Sequence, residues 1–374
     1  MRILIVPNAL KGSLSAIEAA TIIARELEPR HVITTLPIAD GGDGTIDCLV
    51  LGTAGKRMNA RVTGPVAGMT VHAQWGVLGN GRTAVIEMAE AAGLHLLRPD
   101  QYDIGHATTR GVGELIGFAL NAGIRDLWIG LGGSASNDGG MGCLAALGAR
   151  FLDAEGQPLP DGGIHLSRLH RVDLSGLDVR LRQCRIIGLC DVNNPLTGPD
   201  GAAATFGPQK GASPEMVQQL DEALAHFGAV IRQATGRDAA DIPGSGAAGG
   251  LGAGLAALAG AELRSGTDAM LDILGFDRAL ADSDLVITAE GRLDGQTIRG
   301  KGVAGVAARA GRLKKPVIAF AGLIDGDPET LRQQLGLQEI RRIAPENVSL
   351  REAMDAARQY LQYAVESLAD ALVE

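Results

Sequence analysis

Five times along this chain an apolar run leads directly into a polar, glycine-rich loop. That recurrence restricts the fold more than any single motif. RILIV precedes PNALKGS at 7–13, HVITTLPI precedes ADGGDGT at 39–45, and DLWI precedes GLGGSASNDGG at 130–140. RIIGL precedes CDVNNPLTGPDGAAATFGPQKGA at 190–212, and DLVIT precedes AEGRLDGQTIRGK at 289–301. Helical patterns follow the loops, and strands alternating with helices are the signature of an α/β protein with parallel pairing. In such sheets ligands bind beyond the carboxyl ends of the strands, where helix N-termini offer free N–H groups. The pattern predicts five loops converging on one cleft.

The helical patterns carry their own punctuation. Ser15 and Glu18 form a capping-box pair ahead of apolar Ile17, Ala20, Ile23, Ala24 and Leu27. Ser213, Pro214 and Gly236 start and stop a helix over 214–235. Another helix is expected over 109–122. Ser349 and Glu352 open the last one, whose stripe is Leu350, Met354, Leu361, Ala364, Leu368 and Leu372. Between 56 and 88 the texture changes to short alternating runs separated by Gly-Pro and Asn-Gly turns, an antiparallel meander.

A chain of 374 residues exceeds one ordinary core, so two domains are expected. The ends share the βαβ texture. The expected class is therefore α/β: a Rossmann or flavodoxin-like parallel-sheet domain from 1–55 and 282–374, with a mixed α/β domain, 56–281, inserted between its halves.

Composition narrows the function. Hydrophobic residues at 46% and charged ones at 21% suit a soluble globular protein. The net charge of −9 argues against nucleic acid or an anionic membrane as partner. No apolar run reaches the ~18 residues of a membrane span, and the amino terminus reads as a first strand, not a secretory segment. Cys48, Cys143, Cys184 and Cys190 lack paired spacing and read as reduced thiols of a cytoplasmic protein. The seven histidines form no zinc pattern.

The loop contents suit phosphoryl transfer, which needs cations and N–H donors around the phosphoryl group, carboxylates for Mg²⁺, and a group to position or deprotonate the attacking hydroxyl. Lys11, Lys210, Arg292, Arg299 and Lys301 supply cations; Asp40, Asp43, Asp138, Asp191, Glu290 and Asp294 supply carboxylates. Each has a plainer reading beside the functional one. Lys11 suits a solvated surface lysine equally well. Asp40 and Asp43 suit turn and cap residues, and Asn193 with Asn194 before Pro195 suits a turn. Asp191, directly after a buried strand, is the better functional candidate. Cys190 reads as a small core residue. The Ala/Gly run at 243–263 reads as helix-to-sheet packing in preference to phosphate binding. Gly295 to Lys301 has the GxxxxGK spacing, but Gly302 stands where a P-loop needs a Ser or Thr hydroxyl. No GxGxxG follows the first strand, which removes the usual support for a dinucleotide-dependent oxidoreductase.

Together the loops resemble the bacterial glycerate kinase family, in which ATP phosphorylates D-glycerate. The resemblance rests on KGSLSA (11–16), ADGGDGT (39–45), GLGGSASNDGG (130–140), CDVNNPLTGPDGAAATFGPQKGA (190–212), PGSGAAGGLGAG (243–254), AEGRLDGQT and GKGVAGVA (289–308). These blocks span nearly the whole chain. The family pattern commonly has Asp-Ser-Phe where this chain has Asn8-Ala9-Leu10, Glu where Asp43 stands, and TGEG where this chain has TAEG. The resemblance implies a two-domain α/β fold with ATP and Mg²⁺ as cofactors. It implies glycerate as acceptor and 2-phosphoglycerate as product, with the 3-phosphate or another small hydroxy acid as alternatives. Small molecules are the expected partners, and self-association as a homodimer is allowed.

Chemistry then distributes the expected roles. Lys11, Asp40, Asn193, Arg292 and Lys301 would bind the acceptor, and Lys11 would also serve catalysis. Asp191 or Asp294 is the expected general base, and Asp43 and Glu290 the Mg²⁺-side carboxylates. Gly132, Gly133, Ser134, Ser136, Asn137 and Lys210 would face ATP or phosphate.

Overall fold

A computed structural model of the chain describes residues 1–295, 297 and 302–372. Its strands are β1 (Arg2–Pro7), β2 (Val32–Thr35), β3 (Lys56–Thr63), β4 (Thr70–Val77), β5 (Thr83–Glu87), β6 (Asp126–Gly130), β7 (Arg150–Leu152), β8 (Arg171–Asp173), β9 (Arg185–Leu189), β10 (Glu262–Arg264), β11 (Leu285–Leu293), β12 (Val317–Ile324) and β13 (Glu339–Arg342). The chain divides into two compact units. One comprises Met1–Asp40, Asp47–Gly52 and Thr267–Glu374; the other comprises Gly41–Ile46 and Thr53–Gly266.

The first unit holds a five-stranded sheet in the order β13-β12-β11-β1-β2, parallel throughout. Counted within the unit this is the 2-1-3-4-5 order of flavodoxin-like sheets, with the topological switch between β1 and β11. Helices pack on the sheet, so its central strands are continuous apolar runs rather than alternating ones. Ile3, Ile5, Ile287 and Phe320 meet Ile23 and Leu27 of helix Ala16–Leu27 and Leu361, Val365 and Leu368 of helix Ala357–Ala371. Each such side chain, fully buried, contributes ~1.5–3 kcal/mol. The Ser15–Glu18 capping box forms as the sequence predicts.

Three local expectations change. The strand expected over 31–39 ends at Thr35, two residues before Pro37. β11 continues past Thr288 to Leu293, because β12 offers it partners as far as Ile324. Glu290 and Arg292 therefore stand on a strand instead of a loop. The last helix breaks at Ala356 into Leu350–Asp355 and Ala357–Ala371, and Leu350 is exposed rather than part of a core stripe.

The boundary expected at 281 falls at Gly266. Helices Gly266–Ile273 and Phe276–Ala281 are drawn to helix Gly302–Arg312 by Arg309. That buried guanidinium meets Asp268 at 3.0 Å, Asp272 at 2.7 Å and Asp277 at 3.6 Å.

The second unit carries a six-stranded sheet, β10-β9-β6-β5-β4-β3. β3, β4 and β5 form the expected antiparallel meander; β5, β6, β9 and β10 pair in parallel. Its core joins Val85-side neighbours Ala84 and Ile86 to Leu127 and Ile129, and to Val112, Leu115 and Ile116 of helix Arg110–Asn121. Helix Leu251–Leu258, inside the Ala/Gly run, is buried along its whole length, as expected for a packing segment. The hairpin β7–β8 was not legible in the sequence.

Candidate functional site

In the second unit, β6 delivers the chain into GLGGSASNDGG. From Ser134 to Gly140 every residue is buried, so the segment is not a floppy turn. Gly133, Gly139 and Gly140 take positive φ, which only glycine adopts without strain. The run at 243–254 buttresses this loop. Gly139 N–H donates to the Gly249 carbonyl at 2.9 Å, and a Cβ on Gly249 would fall 2.2 Å from the Ser136 carbonyl oxygen. Small residues there let two backbones touch.

Asp138 is fully buried and pins the loop from beneath. It accepts from Thr109 N–H at 2.9 Å, Thr109 Oγ1 at 2.9 Å, Gly140 N–H at 3.0 Å and Gly142 N–H at 3.1 Å. Burial pushes its carboxyl upward, and the Thr109 bonds oppose that push.

Lys210, 2% exposed, reaches this loop from the far end of the 190–212 segment. Its Nζ donates to Ser134 Oγ at 2.7 Å and to the Ser136 carbonyl at 2.7 Å. Burial lowers its pKa to about 7, with the Asp138 charge working the other way. Three further polar atoms of this loop are buried with no hydrogen-bond partner among the described residues: Ser136 Oγ, Asn137 Nδ2 and Asn137 Oδ1. Buried polar groups are nearly always paired, and an unpaired one costs about 1–3 kcal/mol. A buried cation beside two such side chains is the composition of a seat for an anionic, hydrogen-bonding ligand.

Asp191 follows β9, half-buried, and accepts from Ser265 Oγ at 2.7 Å. Asn193 is exposed. Its neighbour Asn194 ties the loop by donating to the Asp200 carbonyl at 2.7 Å. Gly132 N–H donates to the Gly41 carbonyl at 3.1 Å, which brings the ADGGDGT glycines against the β6 loop. Asp43 Oδ1 would lie 3.0 Å from a Cβ on Gly133, so the exposed Asp43 stands at this loop too.

The first unit gathers the other expected residues around the β1/β11 switch. Lys11 Nζ pairs with Asp40 at 3.0 Å and is well exposed. Asn8 Nδ2, deeply buried, donates to Glu290 at 3.2 Å. An amide at position 8, where the family pattern has an acid, thus gives Glu290 a donor instead of a second negative charge. Arg292 pairs with Asp325 and approaches Asp294 at 3.5 Å. Asp294 Oδ1 accepts from Thr297 N–H at 3.1 Å. Asp294 is thus engaged by its own turn through Oδ1 and by Arg292 of β11 through Oδ2. Lys301 and Arg299 lie outside the described residues.

Gly302 settles the near-miss P-loop on physical grounds. A Cβ there would fall 2.6 Å from Glu290 Oε2, and its φ of +30° disfavours any side chain. The residue after Lys301 cannot carry a Mg²⁺-binding hydroxyl without displacing Glu290.

Among the described residues no three His, Cys, Asp or Glu side chains cluster as a metal cage. None of the described helices is long and apolar enough to cross a membrane. Thr109 and Ser265 escaped the expected site, and Asp138, expected as a loop carboxylate, braces the loop from beneath. Thr109 and Ser265 have no local signature, because their partners lie 29 and 74 residues away.

Comparison with known proteins identifies the family. A family model described as the glycerate kinase family matches residues 3–373. The chain is 46% identical over 372 residues to a glycerate kinase of Bacillus subtilis (strain 168), covering 99% of this chain and 97% of that one. It is 45% identical over 360 residues to a glycerate 2-kinase of Escherichia coli (strain K12), covering 96% and 94%. A crystal structure of a glycerate kinase 2 from Salmonella typhimurium LT2 superposes with a TM-score of 0.86 at 46% identity, covering 100% of this chain and 98% of that one. The chain belongs, over almost its entire length, to the glycerate kinase family of phosphotransferases.

Proposed function

We propose that the protein transfers the γ-phosphoryl group of ATP to the 2-hydroxyl of D-glycerate, giving 2-phospho-D-glycerate and ADP. The observation that carries this reading is the buried Lys210 beside the unpartnered Ser136 hydroxyl and Asn137 amide. Both substrates are anions whose oxygens need such donors, and a low-dielectric seat strengthens each contact. The 2-position follows the name of the Escherichia coli relative.

In the reaction the acceptor hydroxyl oxygen forms a bond to the γ-phosphorus as the bond to ADP breaks. Asp191 takes the hydroxyl proton, and Ser265 holds its carboxylate in place. Asp294 is the second choice of base, because its oxygens are occupied by Thr297 and Arg292. Ser134, Ser136, Asn137, Lys210 and the Gly132 and Gly133 backbone hold anionic oxygens. Lys11 and Arg292 supply positive charge, with Asp40 orienting Lys11; Asn193 and Lys301 belong to the same proposal for the acceptor. Mg²⁺ carried on nucleotide phosphates needs only one or two carboxylates, and Asp43 or Glu290 would supply one. When bound, the ion would supply charge neutralisation to the nucleotide phosphates.

An ADP-release assay with D-glycerate, lactate, tartronate and glycolate tests the acceptor. Turnover is expected with D-glycerate; equal turnover across the four acids contradicts the reading.

A further inference from the structure

We infer that the cavity at the β1/β11 switch of the first unit seats the purine nucleoside of the donor nucleotide. The inference rests on the kinase reading and deepens it. The cavity, of about 250 Å³, lies beyond the carboxyl ends of four parallel strands. Leu10 follows β1, Arg292 ends β11, Leu323 ends β12 and Ile343 follows β13. Helix Leu350–Asp355 closes one side with Met354. In sheets of this strand order, the switch point is where the crevice for a ligand opens.

The lining selects the occupant. Leu10, Leu323, Ile343 and Met354 present hydrocarbon, and Lys11, Glu290 and Arg292 supply the charges. Ligand sites combine such apolar walls with a few placed polar groups. The acceptor is a three-carbon acid with an oxygen on every carbon, and apolar walls offer it nothing. Of the two substrates, only the nucleotide carries a broad apolar face, its purine ring. Lys11 and Arg292 beside the hydrocarbon then suit the phosphates attached to that nucleoside. The broken last helix acquires a reason as well. The Leu350–Asp355 segment leaves the core stripe, and Leu350 remains 57% exposed at the cavity.

The test fills the cavity without touching the charges. Ala353 lines it from a half-exposed helical position, so Ala353→Phe adds bulk where folding tolerates it. Calorimetric titration of the full chain with ADP, and separately with inorganic tripolyphosphate, separates nucleoside from phosphate recognition. Ala353→Phe is expected to weaken ADP about ten-fold or more while tripolyphosphate binds as in the wild type. Leu350→Trp, which adds bulk and no charge at an exposed position lining the cavity, is the second variant should the first not fold. A folded variant that binds ADP like the wild type overturns the inference, and so does equal weakening of both ligands. Failure of the acceptor reading registers elsewhere, as absence of phosphoglycerate, while loss of ADP binding in the variants still upholds the cavity.

Discussion

Lys210 Nζ donates to Ser134 Oγ across 2.7 Å, and with the Ser136 carbonyl this gives a buried ammonium two neutral acceptors. Such an arrangement makes the proton on Lys210 depend on what lies beside it. Unfolded lysine keeps its proton to a pH of ~10.4, whereas burial brings the folded group to about 7.

Stability and affinity should therefore move in opposite directions with pH. Between about pH 7 and 10 the unfolded chain binds more protons than the folded one, so this group makes stability rise with pH across that window. An anionic substrate favours the ammonium, so its KM should rise above about pH 7, by up to roughly ten-fold per unit. Melting curves without substrate and KM measured from pH 6 to 9 test both limbs. Lys210→Met should flatten both profiles and cut kcat/KM by at least ~100-fold.

Ser136→Ala and Asp138→Ala should part company. The Ser136 hydroxyl is buried and unpartnered, so its loss should leave the melting temperature unchanged or raised while kcat/KM falls about ten-fold or more. Asp138→Ala strips Thr109, Gly140 and Gly142 of a shared acceptor and should cost about 3 kcal/mol or more in denaturant unfolding. A Ser136→Ala protein that is less stable and fully active would assign the hydroxyl a structural task.

Completing the P-loop spelling should damage the enzyme. Gly302→Ser creates GKS but drives a Cβ to within 2.6 Å of Glu290 Oε2, at a φ that disfavours side chains. The expected result is a lower melting temperature and a kcat/KM reduced about ten-fold or more; improved ATP use would contradict the geometry.

The two base candidates are separable. Asp191→Asn keeps the size of the side chain and should lower kcat about 100-fold or more with little change in melting temperature. Asp294→Asn should act mainly on the turn it shares with Thr297, lowering stability more than kcat. Full activity of Asp191→Asn would remove it from the mechanism.

Elements were legible where local physics decides them. Capping boxes at Ser15 and Ser349, the Pro214–Thr235 helix and the meander of β3 to β5 follow from near neighbours, and all form. What escaped depends on distant partners. β11 runs to Leu293 because β12 is there to pair with it, and the second unit stops at Gly266 because Arg309 gathers three aspartates from helices earlier in the chain. The site behaves likewise. Lys210 and the serines were visible as residue types in Gly-rich loops, but a separation of 74–76 residues hides the fact that they meet. Asp138 was visible as a carboxylate, while its burial, which makes it a brace for the loop, was not.

The central claim is most directly tested by phosphorus NMR of the products formed when the purified chain is given ATP, Mg²⁺ and D-glycerate. The account predicts stoichiometric ADP and 2-phospho-D-glycerate. Appearance of the 3-phosphate alone, or ATP left unconsumed by a folded protein, would contradict it.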